Sequence, residues 1–364
     1  MQQASAGKKT LSIACLILGV VLLAAALFMD FAKIYVVARL DMGVLTIRWF
    51  LRGIFLIAGG LLILGGLYFY PSVEKHRMMV NIIFLFPLLF TFAVTVIIPL
   101  FVGLFYSFTD WNGVSFSRMV GFSNYTTMFS QPSFIWSLLI TFLFVIFNMI
   151  LVNLVAFLLA LLCTSKLKGV GFFRAAYFLP NLIGGIVLGY VWQFVFNNVL
   201  TVLLQSPNSL LANTSTAFAA IIMVYVWQYA GYIMLIYVTG LTTVPGDVLE
   251  AAQIDGANAV TTLFKIKMPM IASTFTICTF LTLTSAFKQF DVNLALTNGT
   301  GSVSNFMGSF LSNGTQMLAL NIYNTAYATD QYGLAQAKAI LFFIILACVS
   351  MIQVRISNKR EVEL

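Results

Sequence analysis

Residues 134–162 read FIWSLLITFLFVIFNMILVNLVAFLLALL. No Asp, Glu, Lys or Arg interrupts them. Coiled as a helix at 1.5 Å per residue they extend about 44 Å, more than the roughly 30 Å hydrocarbon core of a bilayer. A helix in water needs a charged or polar face, and this stretch has no charge to offer one. It reads as a membrane span.

Working outward, seven more stretches have the same character: 11–29, 50–70, 80–106, 174–196, 216–240, 271–290 and 335–354. Hydrophobic residues are 61 % of the chain, charged residues 8 %, and the mean hydropathy is +0.99. Soluble domains carry about 25 % charged residues, so this chain cannot cover a soluble surface of its size. A soluble enzyme, a disordered chain and a disulfide-rich secreted domain are excluded. The expected fold is an all-α polytopic membrane protein with about eight transmembrane helices and lipid around it. The longest connections, 105–133 and 291–334, leave no room for a sizeable soluble domain. Pro87, Pro99 and Pro180 lie inside spans, where neighbouring helices can satisfy freed carbonyls. Lys8 and Lys9 before an apolar run resemble a signal peptide. The run exceeds the usual h-region, so the first span is expected to be retained.

The net charge of +8 belongs to membrane orientation and not to nucleic acid. With the N-terminus inside, Lys8, Lys9, Lys75, Arg77, Lys166, Lys168, Arg174, Lys265, Lys267, Arg355, Lys359 and Arg360 all face the cytoplasm, twelve of the nineteen basic residues. The outer segments keep Lys33, Arg39, Arg48, Arg52, Arg118, Lys288 and Lys338. Both termini are then cytoplasmic, and the first outer loop is the one exception to the positive-inside bias. Cys15, Cys163, Cys278 and Cys348 have no paired spacing and read as small buried hydrophobes.

No acid or histidine sits centrally in any span. Proton-driven carriers keep ionisable groups there despite their cost. A sodium-coupled carrier could use carbonyls and hydroxyls instead, so a stand-alone secondary carrier stays open as an alternative. The chain has no phosphate-binding G-x-x-x-x-G-K-[ST] loop, no nucleophile elbow, no HExxH and no CxxC. It carries no catalytic residues, metal ligands or cofactor site that can be read. If it moves a solute, the energy comes from elsewhere.

The most ordered polar segment is 241–271, LTTVPGDVLEAAQIDGANAVTTLFKIKMPMI. Thr243 can cap a helix that has Pro245 in its first turn and Asp247 and Glu250 near its positive end. Gly256 ends that helix. A second short helix runs to about Lys267, stopped by Pro269. The result is a compact knob on the inner face.

Glu250-Ala251-Ala252, then Gly256 after three residues, then Ile266 after nine and Pro269 form a pattern that resembles the EAA motif. That motif marks permease subunits of binding-protein-dependent ABC importers. The departure is Met268 where the pattern has Leu. Further segments are similar to the carbohydrate branch, the MalF and UgpA type. They are Gly121-Phe122-x-Asn124-Tyr125 with Phe129, Pro132 and Phe134; Lys168-Gly169-x-Gly171-Phe172-Phe173-Arg174 before Phe178-Leu179-Pro180; and Phe290-Asp291 with Leu296-Thr297. The usual G-G-P after the last of these is replaced by Asn298-Gly299-Thr300-Gly301. The likeness covers about 80–354.

The resemblance implies a two-helix N-terminal membrane segment, 1–78, before a six-helix MetI-like permease core, 79–364. It implies that Glu250, Ala251, Ala252, Asp255, Gly256 and Pro269 couple the core to a cytoplasmic ATPase. It implies a second, MalG-like permease subunit, two cytoplasmic ATPase subunits that bind the ATP and magnesium, and an extracellular solute-binding protein. The chain would be a multi-pass protein of a bacterial cytoplasmic membrane and not an enzyme. The substrate would be a carbohydrate, such as a maltodextrin-like oligosaccharide or a related polyol, moved by alternating access.

A polyol needs hydrogen bonds and an aromatic or apolar face. Tyr225, Gln228, Tyr229 and Tyr232 recur along one side of the span 216–240, and Thr282, Ser285 and Gln289 along one side of 271–290. These seven are the candidate substrate contacts, against the alternative that they are polar glue between helices. Trp192 and Trp227 read as packing or interface residues.

Overall fold

The computed structural model describes residues 2–28, 44–69, 76–165, 168–299 and 314–358. Its helices are α1 (Gln2–Phe28), α2 (Val44–Tyr68), α3 (His76–Phe92), α4 (Ile98–Tyr106), α5 (Ser123–Ser130), α6 (Pro132–Cys163), α7 (Val170–Leu182), α8 (Gly185–Phe194), α9 (Thr201–Leu203), α10 (Thr214–Thr242), α11 (Gly246–Ile254), α12 (Ala259–Thr261), α13 (Met268–Met270), α14 (Ala272–Phe287), α15 (Asp291–Thr297), α16 (Leu318–Tyr327) and α17 (Tyr332–Asn358). Wide π turns join α3 to α4 (Ala93–Ile97), α8 to α9 (Val195–Leu200) and α12 to α13 (Thr262–Lys267). The one β feature among the described residues is an isolated bridge between Thr109 and Met119. Of the positions used above, Lys33, Arg39, Lys75, Lys166, Thr300, Gly301, Lys359 and Arg360 lie outside the described residues.

Six helical stretches among the described residues are long and apolar enough to cross a membrane: Leu51–Tyr68, Phe84–Tyr106, Pro132–Cys163, Gly185–Leu203, Thr214–Thr242 and Tyr332–Ser357. Ala259–Met270 with Ala272–Phe287, bent by 73°, makes a seventh if the pair is one span. Thr10–Ala26 is apolar but shorter. The expected stretches are all present as helix, with one displaced. The span expected over 174–196 is broken: α7 ends at Leu182, the next residue Ile183 is extended with a ψ of 129°, and the apolar span starts afresh at Gly185. Pro180 in the last turn of α7 cannot donate to the ladder, and Gly184 and Gly185 follow directly. Pro99 is accommodated differently. Its missing N–H falls just after the π turn Ala93–Ile97, so the helix widens there without stopping.

The chain divides into two compact units, Met1–Phe101 and Val102–Leu364. In the first, α1 and α2 pack through small residues. A Cβ on Gly19 would stand 2.6 Å from Ile63, one on Gly66 would meet Leu16, and the buried Ser12 hydroxyl donates to the Gly66 carbonyl. In membranes, where lipid is as apolar as leucine, such close approach is what holds helices together.

In the second unit α10 is the central element, packed against α6, α7, α14 and α15. Gly231 makes its crossing with α7 possible, since a Cβ there would lie 1.8 Å from the Tyr177 carbonyl oxygen. Polar side chains pin the same bundle: Tyr237 Oη donates to Asn153 Oδ1 (2.9 Å), and Asn153 Nδ2 donates to Thr282 Oγ1 (3.3 Å), tying α10, α6 and α14. Arg174 on α7 donates to the Cys163 carbonyl at the end of α6 (2.7 Å). Lys338, counted above with an outer segment, is wholly buried on α17. Its ammonium donates to Asn321 Oδ1 (2.9 Å) and Thr325 Oγ1 (2.8 Å) on α16 and lies 5.5 Å from the centre of the Phe134 ring.

The segment before α6 owes its shape to the residues of its motif. Asn124 Nδ2 donates to the carbonyls of Ser107 and Thr109, Tyr125 Oη bonds the Ser107 hydroxyl, and Pro132 opens α6. Nearby, the Arg118 and Ser117 N–H groups donate to the half-buried Asp110 carboxylate and, with desolvation opposing them, hold it below the ordinary carboxylate range. Cys163 and Cys278 are buried as expected, but Cys15 is half-buried and Cys348 exposed.

Candidate functional site

Two features of the second unit are candidates for function, and α10 and α14 belong to both. The first is the connection between them. After α10 the chain turns at Thr243, whose hydroxyl donates back to the Gly240 carbonyl (2.8 Å), so this residue closes α10 and does not cap α11. The position before α11 is Pro245. Pro245 offers no side-chain acceptor; its fixed φ sets the entry angle of the helix. Glu250, Ala251 and Asp255 are exposed and Ala252 is buried.

Gly256 ends α11 in the left-handed region, φ +77°. Its neighbour Ala257 donates to the Ala252 carbonyl (2.9 Å) and Gly256 to that of Gln253 (3.1 Å), the paired closing bonds of a glycine C-cap. Asn258 then caps α12, its Oδ1 accepting from Thr261 N–H (2.8 Å). The second short helix does not stop at Pro269. It passes through the π turn Thr262–Lys267 and over Pro269 in the first turn of α13, and breaks at the buried Ile271. The loop ends as a knob with Ile254, Val260 and Phe264 exposed at its surface.

The second feature is a cavity of about 350 Å³ lined by Gly185, Gln228, Tyr229, Ser285, Lys288, Gln289, Phe290, Asp291 and Val292. Four of the seven candidate contacts, Gln228, Tyr229, Ser285 and Gln289, meet here from α10 and the end of α14. Gln228 is fixed by donating to the Ile183 carbonyl at the break before α8 (3.2 Å). Gln289 is about nine-tenths buried, yet its amide nitrogen has no hydrogen-bond partner. A buried donor left without a partner costs about 1–3 kcal/mol, so a ligand oxygen in the cavity would relieve a standing penalty.

The other three candidates are placed differently. Tyr225 is fully buried behind the cavity, stacked on Tyr229 (4.6 Å, 19°), and its hydroxyl also lacks a partner. Tyr232 is half-buried, edge-on to Tyr229. Thr282 lies inside the bundle bonded to Asn153 and to the Cys278 carbonyl. Trp192 and Trp227 pack edge to face (5.5 Å) away from the cavity lining.

The charged residues of the lining, Lys288 and Asp291, were not among the candidates. Both are exposed. Asp291 packs where a Cβ on Gly185 would lie 2.7 Å away, so Gly185 is what admits it; that glycine, together with the Phe290-Asp291 dipeptide, is the signal that could have found them. The cavity thus offers amide, hydroxyl and phenol groups beside an aromatic ring, with one cation and one anion. This suits a hydroxyl-rich ligand. No cluster of three or more His, Cys, Asp or Glu able to hold a metal occurs among the described residues.

No family model matches the chain. Curated relatives do. The chain is 38 % identical over 287 residues to AmyD of Thermoanaerobacterium thermosulfurigenes, a probable starch degradation products transport system permease protein, covering 78 % of this chain and 95 % of that protein. It is 30 % identical over 275 residues to MsmF of Streptococcus mutans, a multiple sugar-binding transport system permease protein, covering 72 % and 90 %. Among solved structures, a chain of a bacterial ABC transporter that imports the acidic polysaccharide alginate shares the fold, with a TM-score of 0.67 at 17 % identity over 79 % of this chain and 97 % of that one. The helical fold, the knob between α10 and α14 and these relatives agree: the chain belongs to the permease subunits of carbohydrate ABC importers.

Proposed function

We propose that the cavity between α10, α14 and α15 is the sugar site of this permease and that the knob Gly246–Met270 is its contact with an ATPase. The substrate is an oligosaccharide of the maltodextrin kind. The assembly holds a second, MalG-like permease subunit, two cytoplasmic ATPases that bind ATP and magnesium, and an extracellular solute-binding protein that delivers the sugar. The chain sits in a bacterial cytoplasmic membrane with both termini in the cytoplasm. The core follows a two-helix N-terminal segment. The carrying observation is mechanical: the cavity is built from the two helices that the knob joins, with three residues between α10 and α11 and one between α13 and α14. ATP-driven closure of the ATPases displaces the knob, and α10 and α14 transmit the movement to the cavity as a switch between outward and inward access. The sugar in turn can bias the ATPases through the same helices, because coupling between two sites is reciprocal.

The test compares Gln289→Ala with Thr282→Val in the reconstituted complex. Losing one ligand hydrogen bond costs about 0.5–1.5 kcal/mol, so Gln289→Ala is expected to weaken uptake several-fold with complex yield unchanged. Thr282→Val removes a bond between helices and is expected to lower thermal stability while sugar affinity holds. Normal uptake by a Gln289→Ala, Ser285→Ala double variant would reduce the cavity to packing.

A further inference from the structure

A second cavity, of about 450 Å³, lies between α16 and α17 and is lined by Phe290, Ala319, Ile322, Tyr323, Ala326, Tyr327, Tyr332, Ala335, Gln336 and Ala339. Phe290 lines the polar cavity as well, so one ring belongs to both. From it a continuous aromatic ladder runs away from the polar site. Phe290 and Tyr323 have centroids 5.2 Å apart, Tyr323 and Tyr327 4.8 Å, and Tyr327 and Tyr332 5.8 Å. Tyr323 and Tyr327 are 41 % and 64 % exposed. The rest of the lining is four alanines with Ile322 and Gln336.

We propose that this ladder is an extended saccharide subsite, holding further rings of a linear oligosaccharide whose end occupies the polar cavity. The inference rests on the sugar reading of that cavity and adds chain length to it. Two observations favour a saccharide over other occupants. Phe290 lines both cavities, so the ladder begins at a wall of the polar cavity. The groove's walls are also tyrosines, and these combine a flat apolar face with a hydroxyl at the rim. A pyranose presents the same combination, C–H faces and hydroxyl edges. α16 is held in place from its other side by the buried Lys338 bonds to Asn321 and Thr325, which lie about half a turn from Tyr323 and Tyr327. The ring-bearing face of α16 is therefore free of that packing duty.

The test uses the complete transporter in proteoliposomes with α-1,4-linked glucose di-, tetra- and heptasaccharides, comparing wild type, Tyr323→Ala, Tyr327→Ala, the double variant and Tyr327→Phe. The double variant is expected to lose about ten-fold in uptake efficiency for the heptasaccharide and to stay within about two-fold of wild type for the disaccharide, because two stacking faces are removed. Tyr327→Phe keeps the face and loses the rim hydroxyl, and is expected to fall between wild type and Tyr327→Ala for the heptasaccharide and to match wild type for the disaccharide. A loss equal at every length, or no loss, overturns the subsite. So does a fall in co-purified second permease with unchanged length dependence, which would make the groove a subunit contact. Absence of wild-type uptake of any of the three sugars overturns the linear-glucan proposal outright. Gln289→Ala run alongside separates the two claims: a loss at all lengths there supports the polar cavity whatever the ladder variants do, and no loss there fails the cavity reading by itself.

Discussion

Gly256 turns the knob with φ at +77°, and nothing lies within 4 Å of where its Cβ would be. The barrier to a side chain at this position is therefore conformational and not steric. An L-residue held in the left-handed region costs roughly 1–2 kcal/mol, and a β-branched one more, since its χ1 is already restricted. Gly256→Val is expected to abolish or sharply reduce uptake and sugar-stimulated ATP hydrolysis while the spans still insert. Gly256→Asn, whose side chain tolerates this region, is expected to keep a substantial part of both. Glu250→Ala should be milder than Gly256→Val, since Glu250 is exposed and a single wet charge is worth little. ATPase assays on the reconstituted complex with and without loaded binding protein decide it; full stimulation in Gly256→Val would remove the knob from the coupling path. Gly256 was legible because a glycine after an acidic, alanine-rich turn has one common use. Thr243 was not, because a threonine between two helices can serve the end of one or the start of the next, and only the backbone geometry selects the first.

Among the helices, α10 was visible as apolar sequence, but its crossing with α7 was not. Gly231 looks like any glycine in a span until Tyr177 is placed against it. A Cβ there would stand 1.8 Å from the Tyr177 carbonyl oxygen, and that oxygen is backbone that cannot rotate away. Gly231→Ala is expected to push α7 from α10, at the upper end of or beyond the 1–3 kcal/mol typical of overpacking. A lower melting temperature and a lower yield of assembled complex would report it; a variant that melts and assembles as wild type would mean that α7 yields freely. The same helix pair explains the displaced span. Hydropathy averages over about twenty residues, so it merged the end of α7 with α8 and missed the turn at Ile183 and Gly184. The Pro180, Gly184, Gly185 spacing held that information, and only the contact of Gly185 with Asp291 shows its purpose. Half of the candidate site was legible for a related reason. Helical periodicity put Gln228, Tyr229, Ser285 and Gln289 on facing stripes, but it could not separate them from Thr282, on the same stripe one turn deeper, which Asn153 consumes.

At the scale of the molecule, the class of fold followed from a property no local contact can alter: with charged residues at 8 %, the chain has nothing to spread over a water-facing surface. Orientation rests on the bias of basic residues, twelve inside against seven outside, with one contrary loop. The structure supplies reporters for it. Val114, between α4 and α5, is 88 % exposed, and Ile254, at the end of α11, is 87 % exposed. Three apolar stretches separate them: Pro132–Cys163, Gly185–Leu203 and Thr214–Thr242. An odd number of crossings puts the two residues on opposite sides of the membrane, whichever way round the chain inserts. In a background with all four native cysteines replaced, which removes the exposed Cys348, Val114→Cys is expected to react with an impermeant maleimide in intact cells. Ile254→Cys is expected to react only after permeabilisation. The reverse pattern would invert the chain and put the knob beyond reach of any cytoplasmic ATPase. Labelling of both in intact cells would mean an even number of crossings between them, in which case the stretch Gly185–Leu203 that replaced the expected 174–196 enters and leaves on one side.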